Sequence, residues 1–458
     1  MKIHLYAVIL GVLLGAVILV SPEMVSVIGL SAISIFLINR FCDETNRKFL
    51  VKIFIIGVSI RILLAFIFHV SAIAIHYKDE PGYINPIPER VEKVETLLGI
   101  TDDDAYSSYG YHLLLYWKGY RDYYKEEDDL SLGRYNWGIH TYFHALVYSF
   151  FGFVPLALKF INCLFGALIA VIMYFLSRDL FGVRIAKWVY CSVMFFPSMF
   201  YWSLSNLKDP LVILLFCTII WLTIKIQRRF SLWPLISALP LVVLFWHYKR
   251  DLIIPLLCMM IFIVTVLSHS KIIRLLSIFL IILLIMPLFL QIDFAPFLQR
   301  VISRQRGIVQ TGGKIYRLYE DKFYDGFTTP EMVRGISPVS FTKSFAKGWA
   351  YFMMSPFLWD ISSKSQLFGF LQMVAWYCVL FFAIPGALYG LRHRFRESMA
   401  VLFVIILMGS GFAMVEGNIG TAFRHRDMFT PLILMFAVLG VMNTFGLVGQ
   451  NIRELKTR

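Results

Sequence analysis

Residues 155–226 read PLALKFINCLFGALIAVIMYFLSRDLFGVRIAKWVYCSVMFFPSMFYWSLSNLKDPLVILLFCTIIWLTIKI. Three apolar runs stand out, Pro155–Leu176, Ile185–Leu204 and Pro210–Ile226. Each approaches the ~20 residues that carry a helix across a ~30 Å hydrocarbon core. Arg178, Arg184 and Lys187 separate the first two runs, and only the short turn Ser205-Asn206-Leu207-Lys208-Asp209 separates the last two. Cytoplasmic loops collect Lys and Arg, so the loop at Arg178 is expected inside and the turn at Lys208 outside.

Working outward, further spans are expected near Leu5–Val20, Met24–Ile38, Ile53–Ile75, Leu232–Trp246, Leu252–Leu267, Ile272–Leu290, Leu367–Leu391, Met399–Val415 and Met428–Met442, about twelve in all. With both termini cytoplasmic, Arg40, Arg47 and Lys48, then Arg228 and Arg229, Lys271 and Arg274, Arg392, Arg394 and Arg396, and finally Arg453, Lys456 and Arg458 all share the face of Arg178. The stretch Trp137–Phe151 would reverse that order if it crossed, so it is expected to lie as an interfacial or re-entrant helix on the outer face. The N-terminal run from Lys2 to Val20 lacks a small-residue cleavage site and is expected to be a retained helix, not a signal peptide.

The composition agrees with this reading. The chain has 458 residues, 59% of them hydrophobic and only 16% charged, which exceeds what a soluble core requires. Its 42 Phe, 23 Tyr and 10 Trp suit lipid-facing helices and interfacial belts. The net charge of +14 would suggest nucleic acid in a soluble protein, but cytoplasmic loops account for much of it, and no nucleic-acid partner is expected. Cys42 lies in a short loop, and the other five cysteines fall in apolar runs without C-x-x-C spacing, which excludes a disulfide framework and a thiolate metal site.

The expectation is therefore an all-α polytopic membrane protein with about twelve transmembrane helices and two large exoplasmic loops. It divides into an N-terminal two-helix hairpin (1–49), a transmembrane core (50–290) containing the external loop 76–138, a second external loop (291–365) and C-terminal helices (366–458). Residues His76–Gly138 carry thirteen acidic groups against seven Lys and Arg, while Gln291–Asp360 carries nine basic against six acidic. Loops of this length in a compact protein are commonly functional.

Four polar clusters gather on the expected outer face. Asp102-Asp103-Asp104, in TDDDAYSSY, brings three carboxylates together. That suits a general base or a divalent-metal ligand, and equally a helix N-terminus, where acidic residues complement the dipole. Lys208-Asp209-Pro210 is a cation in a very short outer turn followed by a helix start, with Asp209 expected as N-cap. His247-Tyr248-Lys249-Arg250-Asp251 puts two cations in another outer turn, where Arg250 and Asp251 can pair. Arg424-His425-Arg426, in EGNIGTAFRHRDMF, carries two guanidinium forks suited to phosphate oxygens or to interfacial snorkelling. Secondary candidates are His140 and His144, four apart on one helical face, and the intramembrane cations Arg61 and Lys159. Arg300, Arg304 and Arg306 are expected on lipid head groups, and Glu126 to Asp129 as a solvated charge run.

Three segments carry a family resemblance: DDDAYSSYGYHLLLYWKG, the run from Phe151 to Leu215 with its Leu-Phe-Gly, Phe-Pro and Trp-Ser landmarks, and GNIGTAFRHRDMFTPLI. The chain resembles the GT-C superfamily of polytopic glycosyltransferases, in particular the dolichyl- and polyprenyl-phosphate-sugar transferases related to protein mannosyltransferases, chiefly over residues 50–290. The resemblance implies that Asp104 or Asp103 is the catalytic base or a metal ligand, and that Asp209 is the acidic position of the second external loop. A divalent cation, Mg²⁺ or Mn²⁺, would be held by Asp102, Asp103, Asp104 and Asp209. Two helices precede the family's usual first span, and the W-W-D-Y-G motif of oligosaccharyl transferases is absent.

The function so implied is inverting transfer of a sugar from a polyprenyl-phosphate donor lipid to a glycan, lipid or protein acceptor, on the exoplasmic face of a bacterial or archaeal plasma membrane. Lys208, Arg250, Arg424 and Arg426 would hold the donor phosphate and stabilise its growing charge. Two alternatives stay open: a polysaccharide polymerase or ligase using undecaprenyl-diphosphate glycans, and a lipid or solute transporter or flippase. Against the last, the charges gather at one face and no repeat is evident.

Overall fold

The computed structural model describes residues 24–41, 44–79, 101–120, 138–228, 231–268, 275, 295–310, 314–325, 328–357 and 364–447. These are mostly helical, with one isolated antiparallel bridge and no longer strand among them. In chain order the helices are α1 (Met24–Phe41), α2 (Glu44–Asp79), α3 (Thr101–Trp117), α4 (Ile139–Phe151), α5 (Pro155–Phe181), α6 (Val183–Phe195), α7 (Pro197–Trp202), α8 (Asp209–Arg228), α9 (Leu232–Tyr248), α10 (Ile253–Thr265), α11 (Ala295–Gln310), α12 (Pro330–Arg334), α13 (Pro338–Met354), α14 (Lys364–His393), α15 (Phe395–Val415), α16 (Ile419–Arg426) and α17 (Thr430–Thr444). They form two compact units, Met1–Val171 with Val193–Leu214, and Ile172–Ser192 with Leu215–Arg458.

The chain is a membrane protein, and the described residues carry part of the expected set of spans. Five helices there are long and apolar enough to cross: Asn46–Ser71 within α2, α5, α8, Gln372–His393 within α14, and α15. The bent pair α16 and α17 makes a sixth if it counts as one span. The differences have physical causes. The run Ile185–Leu204 is cut at Pro197, which ends α6 and starts the six-residue α7. Helix α9 has 17 residues, about 25 Å at 1.5 Å per residue, and α10 has 13. The expected spans Leu5–Val20 and Ile272–Leu290 lie outside the described residues, apart from Leu275. Nor are the two long loops featureless, since α3 lies in the first and α11, α12 and α13 in the second.

In the first unit, α2 turns Leu50, Phe54, Val58, Arg61 and Ala65 inward at helical spacing. Its other face exposes Ile55, Ile56, Ile60, Leu63, Phe66 and Ile67, as a lipid-facing helix does. Arg61 is fully buried. It donates from Nη1 to the Gly57 carbonyl at 3.1 Å, from Nη2 to the Met194 carbonyl at 2.6 Å and from Nε to Ser203 Oγ at 3.0 Å, beneath the Phe200 ring. Met194 and Ser203 flank the Pro197 break, so the guanidinium braces the interruption of the run.

In the second unit, α14 and α17 meet backbone to backbone. A Cβ on Gly386 would fall 1.8 Å from the Phe436 carbonyl oxygen, and one on Gly440 would fall 1.9 Å from that of Phe382. Small residues of this kind let membrane helices approach closely. Further along, Tyr316 donates its backbone N–H to Gly417 (2.8 Å) and Ile419 donates to Lys314 (3.0 Å), closing the bridge between Ile315 and Asn418. The bridge ties the segment after α11 to the start of α16.

Candidate functional site

Each unit holds a polar cluster built around histidine. In the first, α3 packs along α4 because Gly110 has no side chain; a Cβ there would lie 2.4 Å from His144 Cβ. The approach sets the Tyr106 ring edge-on to His140, with centroids 4.8 Å apart. His140 Nε2 lies 3.0 Å from the Asn206 carbonyl oxygen and 3.2 Å from His144 Nε2. A carbonyl only accepts, so His140 Nε2 carries the hydrogen and His144 presents a lone pair. Burial lowers the His140 pKa to about 4; the Asn206 hydrogen bond and the Asp209 charge oppose this, and the Lys208 charge reinforces it. Burial also takes His144 well below its ordinary value, with His140 adding to the effect. Both rings are therefore neutral at physiological pH.

The turn Ser203–Asp209 is pinned to this cluster. Asn206 Nδ2 donates to Ser107 Oγ at 2.9 Å, and Asn162 Nδ2 donates to the carbonyls of Ser205 (2.7 Å) and Leu207 (2.8 Å). Lys208 Nζ stands 5.9 Å from the Tyr106 ring centre. The Lys208 carbonyl accepts the first helical bond, from Val212, so Lys208 caps α8 and buried Asp209 falls in its first turn, one position later than expected. Asp102, Asp103 and Asp104 open α3, and Asp102 and Asp103 precede Tyr106 and Ser107 by one helical turn. The triplet's side chains lie outside the described residues.

In the second unit the chain leaves α15 at Glu416 and reverses at Asn418. The Asn418 side chain caps α16 by accepting from Gly420 (2.8 Å) and Thr421 (3.3 Å). The reversal carries His425 back against Glu416, which accepts a short hydrogen bond from His425 Nδ1 and another from Thr421 Oγ1 at 2.7 Å. Lys249, the C-cap of α9, places Nζ 3.2 Å from His425 Nε2. Burial pushes the Glu416 carboxyl up, but His425, Thr421 and Lys249 together hold it below its ordinary value, so it is ionised.

The two predicted arginine forks part company here. Arg426 is 2% exposed and spends Nη1 on the carbonyls of Met353 (2.9 Å) and Ser355 (3.0 Å), while Nη2 meets Met373 Sδ (3.1 Å). The Trp376 and Phe423 rings flank it. Both terminal nitrogens are thus committed to the protein, which is a brace and not a phosphate fork. Arg424 is only partly buried, on the same helix as His425. Arg250 is exposed in a 3₁₀ turn, and its expected partner Asp251 pairs instead with Arg304 at 2.5 Å. Asp427 accepts from Thr430 Oγ1 at 2.9 Å, at the start of α17.

Among the described residues, no three His, Cys, Asp or Glu side chains gather as metal ligands. Sequence reasoning assigned no role to His425, Glu416, Asn206 or Ser107. Only a recognised Asn418 cap could have pointed to the first pair. Comparisons with family models, with curated proteins and with solved structures gave no match.

Proposed function

We propose that this chain is a membrane glycosyltransferase that takes a sugar from a polyprenyl-phosphate-linked donor on the exoplasmic face. The observation that carries the reading is the hydrogen bond from Asn206 to Ser107. It ties the helix that opens with the acidic triplet to the turn that ends in Asp209, the two acidic stretches that the GT-C resemblance singles out. Asp104 or Asp103 serves as general base toward the acceptor hydroxyl, work typically worth about 10²–10⁴-fold. Lys208 and Asp209 complete that cluster. If a divalent cation takes part, Asp102, Asp103, Asp104 and Asp209 are its ligands, and it would polarise phosphate oxygens.

Arg424 and Arg250 recognise the phosphate, joined by Lys249, which contacts His425. Arg426 moves from ligand to positioning residue, because it braces α16 against the end of α13. The test is release of free prenyl phosphate from a prenyl-phosphate-linked sugar by the purified full chain. Asp103→Asn or Asp104→Asn should cut turnover by about 10²-fold or more while donor binding persists. Full activity in both single variants rejects the base. Release of a prenyl diphosphate in place of the monophosphate would move the chain to the polymerase or ligase class.

A further inference from the structure

Lys249, His425 and Glu416 form a relay with opposite charges at its ends and a neutral ring between. A carboxylate only accepts, so the hydrogen shared with Glu416 belongs to His425 Nδ1. An ammonium only donates, so His425 Nε2 meets Lys249 with its lone pair, and one hydrogen lies in the 3.2 Å between the two nitrogens. The charged groups facing the ring are Glu416, Lys249 and, on its own helix, Arg424. Tyr316 faces Glu416 from the bridged segment, and Phe412 packs against the imidazole at 4.9 Å. The imidazole keeps 20% of its surface exposed against 2% for Glu416, so a ligand reaches the relay from the imidazole side.

An anionic oxygen also only accepts. Placed to take a hydrogen from Lys249, it would confront the imidazole lone pair, and both nitrogens can donate to it only after His425 gains a proton. Buried, ionised Glu416 stabilises the imidazolium so formed. The relay then changes from net zero to one positive charge, which adds to Arg424 and Arg250 and favours a phosphate monoester dianion over a singly charged diester.

We propose that Lys249, His425 and Glu416 form a proton-coupled site for a phosphate monoester, at which His425 takes up one proton as the dianion binds. The inference rests on the phosphate reading above and identifies the charge state that the site favours. A prenyl-phosphate-linked sugar is a diester with one charge. When its C1–O bond breaks, the electron pair leaves with the phosphate, which becomes a dianion. Binding that product draws a proton onto His425 Nε2, and its departure returns the proton to solvent.

Calorimetric titration of the purified full chain with farnesyl phosphate, near pH 7.5 where the monoester is a dianion, tests this in two buffers of different ionisation enthalpy. Uptake of about one proton per phosphate bound is expected, with affinity falling toward about tenfold per pH unit above that. Farnesyl methyl phosphate, a diester, should bind without uptake. His425→Asn should bind the monoester more weakly and take up none, with Lys249→Met as a second variant if the first does not fold. Inorganic phosphate as titrant distinguishes sources: equal binding assigns the site to the phosphate alone, and binding of the farnesyl ester only assigns it to a lipid. Monoester binding without proton uptake in the unaltered protein overturns the coupling and leaves the phosphate reading standing. Failure of both esters to bind overturns the two together.

Discussion

The histidine cluster of the first unit and that of the second use one residue type for opposite ends. His140 and His144 face each other and a backbone carbonyl, and both are almost fully buried. His425 sits between a carboxylate and an ammonium with part of its ring in the open. Where burial dominates, the imidazole stays neutral. Fixing both ring nitrogens to charged partners yields one whose protonation can respond to a ligand. The first cluster holds a turn in place, and the second has chemistry to offer.

The largest effects are expected at the arginines that brace each unit. Arg61 and Arg426 are both buried and both bonded to backbone carbonyls beside aromatic rings. Alanine at either position should destabilise the purified protein by about 3–5 kcal/mol in thermal unfolding, since buried carbonyls lose their donors. A large loss at one and none at the other would mean that the units differ in packing and not only in histidine chemistry. Next in size, Arg424→Ala should leave stability nearly unchanged yet weaken prenyl-phosphate binding by about 1.5–3 kcal/mol. Lysine there should rescue only part of the loss, because the ammonium lacks the fork. Full rescue by lysine would return Arg424 to simple snorkelling.

A smaller effect sharpens the contrast through pH. The folded-state pKa of His140 lies near 4, below the ordinary 6.5, so the unfolded chain binds more protons in that window. Stability contributed by the neutral pair is therefore complete above about pH 6.5 and is lost as pH falls toward 4. His140→Gln should flatten unfolding curves across that range, and an unchanged slope would remove the sealed-cluster account. Smallest of all, Arg250→Ala should shift stability by no more than about 0.5 kcal/mol, because the side chain is exposed.

Much of the fold was legible in the sequence where long apolar runs are uninterrupted. Helices α5, α8, α14 and α15 lie where hydropathy put them, and the stretch before α5, expected to be helical, is the 13-residue helix α4. Ile185–Leu204 reads as one run because hydropathy is blind to the loss of one backbone donor at Pro197, where the helix is interrupted. The site was less legible. Arg424 and Arg426 look equivalent as letters, yet two residues on a helix are about 200° apart, so one faces the interior and the other does not. Seeing that required knowing that the stretch is a helix, which depends on the Asn418 cap. Likewise Glu416 and His425 meet only because that cap reverses the chain, and neither spacing nor composition encodes the turn.

The antiparallel bridge at Ile315 and Asn418 has a consequence for genetics. Its two hydrogen bonds join main-chain atoms alone, Tyr316 to Gly417 and Ile419 to Lys314. A side-chain substitution at Tyr316 or Ile419 removes packing but neither amide, so its cost says nothing of the latch. Proline, which deletes the amide hydrogen, is the one natural replacement that reads it out. Tyr316→Pro and Ile419→Pro would then cost more than alanine at the same buried positions, and the excess marks a contact that an alanine scan does not read.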